Sequence, residues 1–249
     1  MIFPIGDDQV KGGYFPLFSY GFIVLNVGIF FLQLSVPGNL ICEWGSIPEE
    51  IVAGKDWGTL LSSMFMHGGW MHLIGNMLFL WIFADNIEAT IGNFNFLAFY
   101  LLGGLAASAA HIYFSIGDPG LACCAVCQTI DCAGSLPACE GSIPTVGASG
   151  AISAVMGAYL VMFPKSRVRM LVVIFFSSFR IPAFLFLGFW IGQQLLSGFA
   201  SLQPDAVQSS TAWWAHIGGF FFGVLVGFIA RMSKRPQRAA PRAQPGDYV

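Results

Sequence analysis

A serine and a histidine stand where an apolar chain has little use for them: Ser149 in Gly147-Ala148-Ser149-Gly150, and His216 in Ala215-His216-Ile217-Gly218-Gly219. A serine hydroxyl becomes a nucleophile when a neighbouring base takes its proton, and imidazole is such a base near neutral pH. Gly147 and Gly150 let the chain turn tightly and let another backbone approach Ser149. The helix that starts there offers unpaired N–H groups and a positive dipole end to a developing oxyanion. His72 and Asn76 are four residues apart, hence on one face of a helix, and two such donors can hold the same negative oxygen. His67 precedes them by five residues and borders the mouth of such a site. Each feature also has a plainer reading. Ser149 serves equally well as a helix N-cap, His216 as a packed core histidine, and His72 with Asn76 as interhelical hydrogen-bonding residues.

Which elements could bring these residues together follows from the rest of the chain. Of 249 residues, 56% are hydrophobic and 10% charged, against roughly 25% charged in a soluble domain. Apolar windows run over Pro16–Val36, Gly69–Ala84, Phe94–Ile116, Ser149–Phe163, Pro182–Phe199 and Ala212–Met232, which predicts an all-α membrane bundle of six transmembrane helices. The first window lacks a basic start and a small-residue cleavage site and reads as retained. Lys165, Arg167, Arg169 and Arg180 follow the fourth window; Arg231, Lys234, Arg235, Arg238 and Arg242 lie at or beyond the end of the sixth. The preference of basic residues for cytoplasmic loops therefore puts both termini inside. Residues 1–15 become a short cytoplasmic N-terminus, 16–232 the six-span domain, and 233–249 a disordered tail. His72, Asn76, Ser149 and His216 then all fall within a few turns of the outer surface. Polar residues inside spans are functional hypotheses by default. Gly219, Gly223 and Gly227 repeat at four-residue spacing, a face that lets helices pack closely in lipid, and Gly150, Ala154 and Ala158 answer it.

Several function classes lose on the same reading. A net charge of −2 offers no basic surface for nucleic acid. There is no His-Glu-x-x-His zinc motif, no aspartate pair within the spans, and no inverted repeat of the transporter kind. No carboxylate lies in any span near the outer end, so a serine–histidine dyad is the simpler arrangement.

Taken together, Gly147-Ala148-Ser149-Gly150, His67 with His72-x-x-x-Asn76, and Ala215-His216-x-x-Gly219 resemble the rhomboid intramembrane serine proteases; Gly92, Tyr100 and Trp213-Trp214 resemble the bacterial form. The likeness covers roughly residues 15–232. It implies a bacterial inner-membrane endopeptidase opening to the periplasmic or extracellular side, with Ser149 as nucleophile and His216 as general base. His72, Asn76 and the Ser149 N–H would be oxyanion donors. The implied substrates are transmembrane helices of other membrane proteins, cut near the outer interface without a cofactor or metal. The fifth span, with Phe184, Trp190 and the loop Ser201–Ser210, would form the gate. The alternative is an inactive relative that binds or escorts membrane proteins, and such relatives usually lack the serine or the histidine.

This chain departs from the family pattern in three places. Trp57-Gly58 replaces the Trp-Arg found in many members. Ser153 occupies the place where some carry an aromatic that stacks on the histidine, so another group must orient His216. An insert at 118–141 carries Cys123, Cys124, Cys127, Cys132 and Cys139, with Cys42 on the same outer side. Disulfides are expected in an oxidising compartment, with a metal knot through Cys124-x-x-Cys127 as the other reading.

Overall fold

The computed structural model describes residues 2–8, 15–116, 127, 140–172, 174, 176–203 and 211–233. Cys123, Cys124, Cys132 and Cys139, residues 204–210 of the loop expected at the gate, and residues 234–249 of the expected tail lie outside them. In chain order the elements are β1 (Ile2–Gly6), α1 (Leu17–Ser35), α2 (Leu40–Trp44), α3 (Pro48–Val52), α4 (Thr59–Ser62), α5 (Trp70–Ile91), α6 (Asn93–Ser115), α7 (Ser149–Met162), β2 (Arg167–Val172), β3 (Ser177–Pro182), α8 (Ala183–Ser201) and α9 (Trp213–Ser233). Among the described residues four helices, α1, α6, α8 and α9, are long and apolar enough to cross a membrane. The remaining two long helices, α5 and α7, carry most of the polar chemistry.

The α5 helix outruns its apolar window, continuing past Ala84 through buried Asp85, Asn86 and Glu88 to Ile91. Its polar end is tolerated because those side chains have partners. The Glu88 carboxylate, fully buried, accepts hydrogen bonds from the backbone N–H groups of Phe18 (2.9 Å) and Ser19 (2.8 Å) and from the Ser19 hydroxyl (2.6 Å). It thereby satisfies the open N-terminus of α1, where an anion is also favoured by the helix dipole. Gly92, at φ +87°, is the single residue between α5 and α6, a conformation that glycine adopts without penalty.

The α7 helix is the centre of the bundle. Ten of its fourteen residues, Gly150–Tyr159, are buried without interruption. At fourteen residues it is about 21 Å long, shorter than a hydrocarbon layer of about 30 Å. The α9 helix lies against it with almost nothing between the backbones: a methyl group on Gly219 would overlap the Gly150 carbonyl, and one on Gly223 would overlap that of Ala154. Contact at this range supplies dispersion and backbone packing that apolar side chains cannot provide in lipid, where the surroundings are equally apolar.

A three-stranded sheet in the order β1-β2-β3 closes the end of the bundle opposite the start of α7. An all-α reading does not anticipate it. The signal is the alternation in Arg167-Val168-Arg169-Met170, with Val168 and Met170 buried and both arginines exposed, the period-two pattern of a half-buried strand. The N-terminal segment, expected as a short tail, supplies β1, which pairs antiparallel with β2. Just beyond β1, Asp7 accepts a hydrogen bond from Asn86 Nδ2 of α5 (2.7 Å) and another from the Tyr159 hydroxyl of α7.

Candidate active site

The start of α7 is set by a loop that other segments hold in place. Ser46 and Thr145 form an antiparallel bridge, with N···O distances of 3.0 and 2.8 Å, and the Gly147 N–H donates to the Ser63 carbonyl (2.9 Å). Gln33 of α1 clamps the backbone of His67 from both sides, at 3.0 and 3.1 Å. A disulfide joins Cys42 to Cys127, which removes Cys127 from the Cys124-x-x-Cys127 metal reading and ties the segment after α1 to the insert. These contacts brace the loop in which Gly58 stands in place of an arginine.

Ser149 and His216 face each other across the α7–α9 contact, with Ser149 Oγ 2.8 Å from His216 Nε2. On its other side, His216 Nδ1 lies 2.8 Å from Oε1 of Gln194, a residue of α8 that is 4% exposed. An amide oxygen can only accept, so Nδ1 carries the proton and Nε2 is left with a lone pair toward the serine hydroxyl. That is the tautomer a general base requires. Trp190, one turn before Gln194, has its ring centroid 5.8 Å from the imidazole, and Trp213 lies at 6.5 Å. Ser153 does not reach the ring at all: its hydroxyl donates back to the Ser149 carbonyl at 2.6 Å.

His72 and Asn76 flank the other side of Ser149. The Gly68 N–H donates to His72 Nδ1 (3.3 Å), so the mobile proton of the neutral ring resides on Nε2 and that nitrogen is a donor. Gly147, at φ +128°, sits against both residues. A Cβ there would lie 2.7 Å from His72 Cε1 and Nε2 and 3.7 Å from Asn76 Nδ2. Asn76 Nδ2 is buried and has no partner among the described residues. Together with the first-turn N–H groups of α7, which have no intrahelical acceptor, these donors surround the space beside Ser149. Gly150 faces Ala107 of α6.

These groups line one hollow of about 1080 Å³, whose walls include His72, Asn76, Gly147, Ser149, Trp190 and His216. His67 is not among its lining residues. It is 1% exposed, with its ring 5.2 Å from that of His72, so it backs the site instead of bordering the mouth. His111 of α6 also lines the hollow, and its Nδ1 lies 3.1 Å from the Ser115 hydroxyl. Phe184, expected at the gate, lies at the sheet end of α8, its N–H bonded to the Pro164 carbonyl (3.2 Å). The hollow is reached more than one turn further along the helix, at Trp190. Gln194 is the site residue that motif reading passes over. Its signal is present in the sequence as an amide in the middle of an apolar span, a costly placement that calls for a partner.

A family model described as the rhomboid domain matches residues 54–233. Among curated proteins, the chain is 27% identical to the mitochondrial rhomboid protein 1 of Saccharomyces cerevisiae over 88% of its own length and 55% of that protein. It is 28% identical to rhomboid protease GluP of Bacillus subtilis over 85% of the chain and 35% of that protein. It is 27% identical to rhomboid protease AarA of Providencia stuartii over 82% of the chain and 69% of that protein. The chain thus spans about half or less of the length of the first two relatives.

Proposed function

The chain belongs to the rhomboid family, and from that premise we propose that it is an intramembrane serine endopeptidase with Ser149 as nucleophile and His216 as general base. The observation that carries this reading is the 2.8 Å separation of Ser149 Oγ and His216 Nε2 at the wall of a hollow large enough for an unwound peptide. Similarity to relatives named as proteases supports it.

In the proposed reaction His216 Nε2 accepts the Ser149 proton as Oγ adds to the scissile carbonyl. The oxygen of that carbonyl takes on negative charge against His72 Nε2–H, Asn76 Nδ2–H and the Ser149 N–H. Donors already in position need no reorganisation as charge develops, which is the source of their rate effect. The C–N bond then breaks, the imidazolium gives its proton to the leaving amine, and a water molecule activated by His216 hydrolyses the ester on Ser149. No cofactor is called on.

Substrates in this reading are transmembrane helices of other membrane proteins, which must unwind locally before a carbonyl can reach a recessed hydroxyl. The fold sits in the membrane with six spans, α5 and α7 completing the four long apolar helices, and α7 is served by the hollow instead of reaching the surface. The sheet end is cytoplasmic, by the arginines of β2 and β3, and the hollow opens to the extracytoplasmic side of a bacterial inner membrane. The test is cleavage of a single-span model substrate in proteoliposomes. Ser149→Ala and His216→Ala should each abolish cutting without unfolding the protein, and a fluorophosphonate probe should label Ser149 in the parent chain. Cutting retained in either variant would sink the dyad.

A further inference from the structure

We propose that Gln194 is a positioning residue of this site: its amide carbonyl fixes the tautomer and orientation of His216, and it does so from α8. The inference rests on the dyad reading above. Three observations converge on it. The Gln194 Oε1 to His216 Nδ1 distance equals the Ser149 to His216 distance, 2.8 Å in each case, so the imidazole is held at both nitrogens by hydrogen bonds of ordinary length. Gln194 is 4% exposed, and a buried amide is held in one orientation by the bonds it makes. Finally, beyond the Ser149 hydroxyl at Nε2, α7 gives the ring no hydrogen-bond partner among the described residues, because Ser153 turns its hydroxyl back to the helix.

The choice of helix matters. Nucleophile and base ride on α7 and α9, whose backbones touch at Gly219 and Gly223, so their separation is fixed by packing. The α8 helix is seated differently. Gly188 and Gly192 have nothing within 4 Å of where a Cβ would stand, and Leu185, Phe189, Leu196 and Phe199 are exposed along its length. A shift of α8 would therefore withdraw the Nδ1 acceptor while leaving Ser149 and His216 in place. Base competence is thereby linked to the seating of the helix that carries Trp190 along the hollow.

Without the acceptor, the proton is free to move to Nε2, where it faces Ser149 and removes the base. Gln194→Leu keeps the bulk and loses the carbonyl; it should lower kcat for a single-span substrate by about 10²-fold or more with KM little changed, by analogy with loss of a tautomer-fixing partner in other serine hydrolases. Gln194→Glu keeps an acceptor and adds charge that favours imidazolium. It should retain cutting above the Leu variant and move the acid limb of the kcat profile to higher pH. The other titratable groups whose charge reaches His216 are His72 of α5 and His111 of α6, and both are common to all the variants. Nitrogen-15 spectra of the His216 ring give a readout independent of turnover: predominantly Nδ1–H in the parent chain, and a mixture or Nε2–H in Gln194→Leu. A Leu variant that cuts at the parental rate, an unmoved acid limb in the Glu variant, or an unchanged tautomer would each overturn the assignment. Loss of cutting in Ser149→Ala alongside any of these would leave the dyad standing and remove only Gln194.

Discussion

At the scale of single residues, the site is a set of hydrogen-bond donors and acceptors gathered around Ser149. Asn76 Nδ2 is buried without a partner among the described residues, a placement that costs free energy unless an acceptor arrives during the reaction. Asn76→Ala should therefore lower kcat by about 10²-fold, the size found on removing one oxyanion donor, while thermal stability holds or rises; unchanged kcat would mean that the amide points at nothing that reacts. The neighbourhood of Ser149, His216, His72 and Asn76 is legible in the sequence because each is polar inside an apolar window, and topology brings those windows to one depth. Gln194 is legible only in part. It is just as conspicuous inside its span, but reasoning from serine hydrolases looks for a carboxylate behind the histidine, and an amide fixes a tautomer equally well without being ionised. His67 marks the opposite failure, since spacing cannot tell a residue that lines a cavity from one that lies behind its wall.

Among elements, the contact between α7 and α9 sets the geometry of the dyad. Because a methyl group on Gly223 would overlap the Ala154 carbonyl, Gly223→Ala should cost about 1–3 kcal/mol, as overpacking of a filled interface does, and cutting should fall with the melting temperature as the two helices separate. The four-residue glycine spacing makes this face readable in advance. The β1 strand is not readable in that way, since five residues near a terminus gain their structure from β2 and from a polar anchor that lies far away in sequence. That anchor responds to protons. Burial, opposed by the Tyr159 and Asn86 hydrogen bonds and reinforced by the charges of Asp85 and Asp8, pushes the Asp7 carboxyl up from 3.8 to about 6. The folded state thus favours the protonated acid. Its contribution is fully present below the ordinary carboxylate pKa and is lost as pH rises through about 6. Hydrogen exchange in β1 should accelerate between about pH 4 and pH 7 beyond its intrinsic rate, and Asp7→Asn should remove the excess.

On the scale of the whole molecule, the two ends are held by different means. A disulfide and a short bridge of backbone bonds brace the loops around the hollow, while a sheet and a half-buried carboxyl close the other end. Composition announces a membrane protein at once. It says nothing of these braces, because each joins segments that are distant along the chain. The exposed apolar side of α8 has an effect that reaches into the surrounding lipid. Nineteen residues span about 28 Å, so acyl chains that make a thicker slab must shorten, tilt or leave a dimple beside Leu185, Phe189, Leu196 and Phe199, at some fraction of a kcal/mol per ångström. Reconstitution into a graded series of phosphatidylcholines should accordingly show turnover declining as the tails lengthen, at constant Ser149 labelling by the fluorophosphonate. The lipid would then set how readily a helix enters, with the reacting groups themselves indifferent to membrane thickness.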